Sequence, residues 1–254
     1  MVLKYKKTRA RKGTSLMSEL LSYFGIESKN IKKTCVICQA SDHSLFSELG
    51  TAETFTGLFA KVNNYEKATI ISTKNNFLVG DIVLYLKDTI CENVILFGSC
   101  GGSGEVKIGD KLIVKKVFNF ESFSEMLEMK RNPDSYYPSA SLVGEYLLKN
   151  SKLDIQHVKC ATTSSLFLEK KYKDWFSKNK INAIDMECSS VFSASCSINK
   201  KAIAIFYITD IIGVNEPFGS DVEQSQKSAI LKARQTLAKS ICNFINDAQQ
   251  HFIY

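Results

Sequence analysis

The run Ala183-Ile184-Asp185-Met186-Glu187-Cys188-Ser189-Ser190-Val191-Phe192 decides how this 254-residue chain is read. An apolar edge meets carboxylates, and the small residues that follow suit a closely packed helix. Twenty-three residues beyond Glu187, a second apolar run, Lys201 to Thr209, ends in Asp210. In both places an acid stands where a buried strand stops. In α/β sheets the carboxyl ends of strands are where ligands bind. Two carboxylates delivered to one rim can bind hydroxyl groups and donate a proton.

On either side of this pair, apolar runs of strand length alternate with helical patterns. Leu16 to Phe24 has helical spacing and stops at Gly25. Thr34 to Gln39 reads as a buried strand. Thr54 to Val62 and Ala68 to Ser72 read as two more, separated by the turn signal Asn63-Asn64. Phe77 to Leu86 reads as helix and Val94 to Phe97 as a short apolar strand. Gly98-Ser99-Cys100-Gly101-Gly102 follows at once. It reads either as backbone that approaches a ligand, with Ser99 as hydrogen-bond donor, or as a tight strand-to-loop turn. Gly109-Asp110 leads into a strand from Lys111 to Val117.

Phe120 to Pro138 is polar, aromatic and irregular, a lid or a surface loop. Ser141 to Leu148 reads as helix, Ile155 to Ala161 as strand, and a helix runs on from Leu166-Phe167 through Trp175. Phe167 reads better as a core side chain than as a stacking platform. Asp185 to Ser197 reads as helix, Ile203 to Thr209 as strand and Ser220 to Phe252 as a long terminal helix. Ile230, Leu237, Ile241, Phe244 and Ile245 mark its buried stripe. This alternation predicts an α/β domain with a mostly parallel, covered sheet.

Composition bounds the possibilities. The net charge of +7 is concentrated in Lys4, Lys6, Lys7, Arg9, Arg11 and Lys12, and the remainder is close to neutral. That leaves no broad footprint for nucleic acid, so the basic residues read as a solvated arm. No apolar run has the ~20 residues that a spanning helix needs, and no h-region follows Met1, so neither a membrane nor a secretory route is expected. Of 8 cysteines, only Cys35 and Cys38 form a CxxC, which is weak evidence for metal. Scattered thiols suit a reducing cytoplasmic setting, and no metal is expected. With 3 prolines and no low-complexity tract, residues 23–254 read as one domain behind an arm of residues 1–22.

A family resemblance rests on Phe97-Gly98-Ser99-Cys100-Gly101-Gly102, Gly109-Asp110 before a strand, Asp185-Met186-Glu187, and Thr209-Asp210. Together these resemble the nucleoside phosphorylase and nucleosidase superfamily. Tyr23-Phe24-Gly25-Ile26 is similar to a leading segment of its uridine phosphorylase branch. The resemblance implies a three-layer α/β fold: a twisted, mostly parallel central sheet, partly closed into a barrel and flanked by helices. It also implies cleavage of the N-glycosidic bond of a nucleoside. Glu187 resembles the carboxylate that grips the ribose hydroxyls, and Met186 the residue packed on the sugar. Asp210 resembles the acid that protonates N7 of a purine. Ser99, with Cys100 and Gly101 beside it, resembles the phosphate- or sugar-contacting turn, and Phe167 the aromatic wall of the base site. Relatives are homo-oligomers, so a dimer or hexamer is expected. No cofactor is expected, with phosphate a co-substrate only for a phosphorylase.

Departures from the pattern shift the expected chemistry. The two phosphate-binding arginines of the phosphorylases correspond here to Leu45 or Ser44 and to Leu96. Phosphate recognition favours the planar fork of arginine, so water becomes the favoured nucleophile. The glutamate that activates water in nucleosidases has no counterpart, and Asp42 and His43 stand nearest. The Gln-x-Arg that reads uracil gives way to Lys170, Lys171 and Lys173, and the leading-segment histidine to Tyr23. With Asp210 present, a purine is favoured over a pyrimidine. Phosphorolysis of a purine nucleoside or uridine is the alternative, and a non-catalytic nucleoside-binding or storage relative is the second.

Overall fold

A computed structural model describes residues 16–39, 43–73, 75–122 and 133–247. Residues 1–15 of the basic arm lie outside the described residues, as do Asp42 and residues 123–132 of the expected lid. The described strands are β1 (Thr34–Gln39), β2 (Glu53–Thr56), β3 (Ala60–Asn64), β4 (Ala68–Thr73), β5 (Asn93–Gly102), β6 (Lys111–Phe120), β7 (Ser135–Tyr136), β8 (Gln156–Thr163), β9 (Ala183–Asp185) and β10 (Lys201–Ile211). The helices are α1 (Leu16–Phe24), α2 (Val79–Tyr85), α3 (Ala140–Lys149), α4 (Leu166–Glu169), α5 (Lys173–Lys178), α6 (Cys188–Ser197) and α7 (Gln224–Asp247).

Five strands close on themselves in the order β10, β6, β8, β9, β5 and back to β10. From β5 the sheet continues outward through β1, β4, β3 and β2. Closure removes the open edges that a sheet otherwise presents. The long central pairs β5–β10, β5–β1, β1–β4 and β6–β8 are parallel. Antiparallel pairs lie in the β2–β3–β4 margin and where the barrel closes at β10–β6 and β5–β9.

The register of β5 explains where the molecule opens. One edge of β5 pairs with β10 along its length. Its other edge is shared: β1 takes it as far as Phe97, and β9 takes it from Gly101 onward. Gly98, Ser99 and Cys100 fall between the two partners. The glycine stretch is therefore not a turn, as one reading of the sequence had it, but a strand that continues past a split in the sheet. Crevices at such splits are where α/β folds bind ligands.

Because both faces of the sheet are covered, its central strands are apolar throughout. Val36, Ile95, Phe97, Ile203 and Ile205 pack under Phe46, Tyr146, Leu237, Ile241 and Phe244. The alternate residues Cys35, Ile37, Val94 and Leu96 pack with Val79, Ile82, Val83 and Val191 on the other face. Strand alternation thus sends Cys35 and Cys38 to opposite faces, so this CxxC does not form one binding site. The long helix carries its predicted stripe, except that Ile230 is only half-buried. Two expectations need correction. Thr54 to Val62 is not one strand but a hairpin, folded at Gly57-Leu58-Phe59, and Asn63-Asn64 ends β3 rather than forming the turn. Asp185 ends β9 rather than beginning the helix.

Gly102 marks how tightly the barrel closes. A methyl group there would stand 2.6 Å from Ile211 Cδ1 and 2.9 Å from Val106 Cγ2. Gly102→Ala is expected to cost about 1–3 kcal/mol by overpacking, read as a lower urea midpoint at unchanged denaturant slope.

Candidate active site

The acid Asp185 does structural work at the start of α6. Its Oδ2 accepts hydrogen bonds from the backbone N–H groups of Glu187 (3.0 Å) and Cys188 (2.6 Å), and its Oδ1 from Thr162 Oγ1 (2.6 Å). Thr162 Oγ1 in turn accepts from the Ser189 N–H at 2.9 Å. The first-turn donors of α6, orphaned in any helix, are therefore met by β8 and β9. Glu121 adds a carboxylate at the same helix end, accepting from Ser189 Oγ (2.5 Å) and Ser190 Oγ (2.9 Å). Burial pushes Asp185 up to about 6 against the downward pull of the four hydrogen bonds it accepts. Glu187 occupies the capping position without a capping bond from its side chain, which borders a cleft and is 3% exposed.

Opposite stand the ends of β5 and β10. Ser99, Cys100 and Gly101 line one wall, and Thr209 and Asp210 the next. A bulge between Ile208 and Asp210 shifts the register of β10 and brings Asp210 level with Gly101. Asp210 is 6% exposed and accepts from Thr209 Oγ1 at 2.8 Å. The absence of a side chain at Gly101 makes room for it: a Cβ there would lie 3.3 Å from Asp210 Oδ2. Ser99 faces Tyr207 across the ladder. Burial pushes the Tyr207 phenol up, against the opposing effects of Arg234 and of a hydrogen bond from Ser99.

The third wall comes from the end of β8 and from α4, through Thr163, Leu166 and Glu169. Ser165 caps α4 by accepting the Leu168 N–H at 3.2 Å. Leu168, Tyr172 and Phe176 anchor the segment against Phe120 and Ile184, with the Phe120 and Tyr172 rings 5.1 Å apart. Glu169 is thereby held at 5% exposure. Burial, reinforced by the charge of Asp210, pushes it up to about 7, while Lys170 opposes the shift.

The structure brings Ser99, Cys100, Gly101, Met186, Glu187 and Asp210 to one cleft. Two expected positions are not found there. Asp42 lies outside the described residues. Phe167 is 80% exposed and does not border the cleft, so neither the core role nor a base-facing wall describes it within this chain. Helix α4 turns its neighbours Leu166 and Leu168 inward instead. Leu96, at a position corresponding to a phosphate-binding arginine, is buried in the core. Glu169 went unrecognised in the sequence because an acid in a helix's first turn, among lysines, reads as an ordinary partner of the helix dipole. Asp185 was visible as a strand-end acid, but its bonds to Glu187, Cys188 and Thr162 were not. Among the described residues no cluster of metal-ligating side chains occurs.

Two outcomes follow from these environments. Asp185→Asn places an amide nitrogen against the Thr162 hydroxyl or the α6 N–H groups. It should destabilise the fold by about 1–3 kcal/mol, measured by urea unfolding. Glu169 has a folded value of about 7 against an ordinary 4.5, so the fold favours its neutral form. That contribution is fully present below about pH 4.5 and is lost as pH rises through about 7. Glu169→Gln removes the charge and should gain up to about 3 kcal/mol over the native chain at pH 8 and nothing at pH 4. Unfolding free energies at the two pH values check it.

A sequence profile described as the phosphorylase superfamily matches residues 82–246, which include all three walls of the cleft. A DeoD-type purine nucleoside phosphorylase from Mycoplasma genitalium is 24% identical over 196 residues, covering 73% of this chain and 82% of that protein. Uridine phosphorylase from Vibrio fischeri shares the fold with a TM-score of 0.69 at 16% identity, over 86% of this chain and 95% of that one. AMP nucleosidase from Bacteroides thetaiotaomicron does so with a TM-score of 0.67 at 17% identity, over 92% and 96%. With its barrel, its split β5 edge and a profile match spanning most of the chain, this protein belongs to the phosphorylase superfamily of nucleoside phosphorylases and nucleosidases.

Proposed function

We propose that this protein cleaves the N-glycosidic bond of a purine nucleoside, with water as the acceptor. The observation that carries the reading is the meeting of Glu187, Asp210 and Ser99 in one cleft. Bond cleavage builds positive charge on the ribose ring and negative charge on the departing base. Glu187, holding the sugar hydroxyls, orients the ring and favours its cationic form in a site poor in water. Met186, beside it, packs against the sugar. Asp210 faces the base and supplies or steadies the proton at N7, a role in which general acids typically contribute about 10²–10⁴-fold.

Water is favoured because the described residues lining the cleft include no lysine or arginine, and a phosphate dianion needs such partners. Asp42 remains the proposed base for that water. It follows β1 in the sequence, and β1 ends beside Phe97, next to the glycine stretch. One observation favours phosphorolysis, of a purine nucleoside or of uridine. Arg234 acts on the Tyr207 phenol, and Tyr207 interacts with Ser99, a cation-bearing arrangement beside the cleft. The names of the relatives include both phosphorylases and a nucleosidase. The active form is proposed to be a homo-oligomer, a dimer or hexamer.

Incubation with adenosine, inosine, methylthioadenosine and uridine, with and without phosphate, tests the reading. Free ribose or its 5′-substituted form, released from a purine nucleoside without phosphate, is the expected product. Ribose 1-phosphate appearing only with phosphate would replace hydrolysis by phosphorolysis. Tight binding without product would make the chain a non-catalytic relative. Glu187→Gln should lower kcat/KM by about 10²-fold or more while the protein stays folded.

A further inference from the structure

The wall formed by β8 and α4 holds two polar groups for which the roles of Glu187 and Asp210 leave no use. Thr163 Oγ1 is buried, 1% of the residue is exposed, and no partner satisfies it among the described residues. The Glu169 carboxyl shares the cleft with it, and no described residue donates a hydrogen bond to that carboxyl. A buried polar group left unpaired costs about 1–3 kcal/mol. Thr163 Oγ1 is such a group, and it is expected in that state only where something else completes it. The segment carrying Glu169 is not loose: Leu168 and Tyr172 fix it on either side in the apolar cluster around Phe120. The carboxyl is thus held in the cleft that Asp210 also lines, near enough for the Asp210 charge to act on it.

We propose that Glu169 is the specificity-determining residue for the base, and that with Asp210 it presents one donor beside one acceptor, selecting a 6-aminopurine over a 6-oxopurine. This rests on the nucleoside reading of the cleft. Two carboxyl groups near each other in a buried site do not both ionise readily, and they hold a proton between them. The environment agrees. Burial and the Asp210 charge bring Glu169 up to about 7, against the opposing pull of Lys170. Asp185 and Glu187 add further carboxylates across the cleft and no cation. Near neutral pH the pair then offers one O–H and one carboxylate oxygen.

The base edges differ in what they ask for. A 6-aminopurine shows an acceptor at N7 and a donor at its exocyclic amino group, whereas a 6-oxopurine shows acceptors at both places. The first matches a singly protonated pair once the shared proton passes to Asp210, which faces N7, and leaves the Glu169 carboxylate to accept from the amino group. The second sets a lone pair against the carboxylate, and sites built on hydrogen bonding reject such mismatches strongly. Thr163, whose hydroxyl can donate or accept, completes the same wall.

The test is the ratio of kcat/KM for adenosine to that for inosine, or of their affinities where there is no turnover. It is measured at pH 7 on the native chain and on Glu169→Gln and Glu169→Asp. The native chain should prefer adenosine by at least tenfold. Glu169→Gln offers an amide donor to a 6-oxo group, so the ratio should fall at least tenfold, with inosine gaining in absolute terms. Glu169→Asp keeps the acid but retracts it. It should weaken adenosine while leaving the preference in the native direction, and it carries the test if the glutamine variant does not fold. An unchanged ratio in a folded Glu169→Gln protein overturns the proposal, as does a native preference for inosine. If adenosine binds with the expected ratio but nothing is cleaved, the base assignment stands and the catalytic reading falls. If nucleosides are cleaved with a ratio indifferent to residue 169, the reverse holds.

Discussion

The cleft exists because one edge of β5 has two partners. Hydrogen bonding along a strand edge is continuous only while one neighbour runs beside it, and here β1 leaves at Phe97 before β9 arrives at Gly101. Backbone between the two cannot be covered by either. Small residues, Gly98, Ser99 and Cys100, occupy the interval, so the opening stays open. Everything with chemical potential is then delivered to that opening by elements that end there: β8 with Thr163, β9 with Asp185 and β10 with Asp210.

The acids gathered at this rim are not equivalent, and their surroundings divide the labour. Asp185 is saturated by hydrogen bonds from Thr162 and the start of α6 and works as a cap. With that duty taken, Glu187 holds the capping position without a capping bond from its side chain, which borders the cleft. Glu169 and Asp210 lie close enough to influence each other, and burial disfavours charge on the former. One helix start, two strand ends and one short helix thus produce a structural acid, an acid bordering the cleft and a pair whose members influence each other. The same residue type is made to behave differently by how many donors it meets and how much water it keeps.

Fold was largely legible in the chain because fully buried strands leave continuous apolar runs, and β1, β4, β6, β8 and β10 stand where those runs are. The failures were local. Gly98 to Gly102 reads either as a turn or as backbone that approaches a ligand, and in a strand whose neighbours diverge small residues serve close approach rather than turning. Thr54 to Val62 looked continuous because its hairpin folds at Gly57-Leu58-Phe59 without the Asn-Gly or Asp-Gly signal that marks many hairpins. Phe167 looked like core because large aromatics mostly are, whereas the phase of α4, set by the Ser165 cap, turns it outward and puts Leu168 inside.

By itself the sequence determined the alternation of strands and helices, the two acids Glu187 and Asp210 close to strand ends, the small-residue stretch Gly98 to Gly102, and the family. These are carried by residue type and spacing, which local physics reads directly. Tertiary structure alone decided that Asp185 caps α6, that a bulge sets Asp210 level with Gly101, and that Glu169 enters the cleft beside it. Each of those depends on which elements meet across the barrel, and a carboxylate's charge and use depend on neighbours distant in the chain.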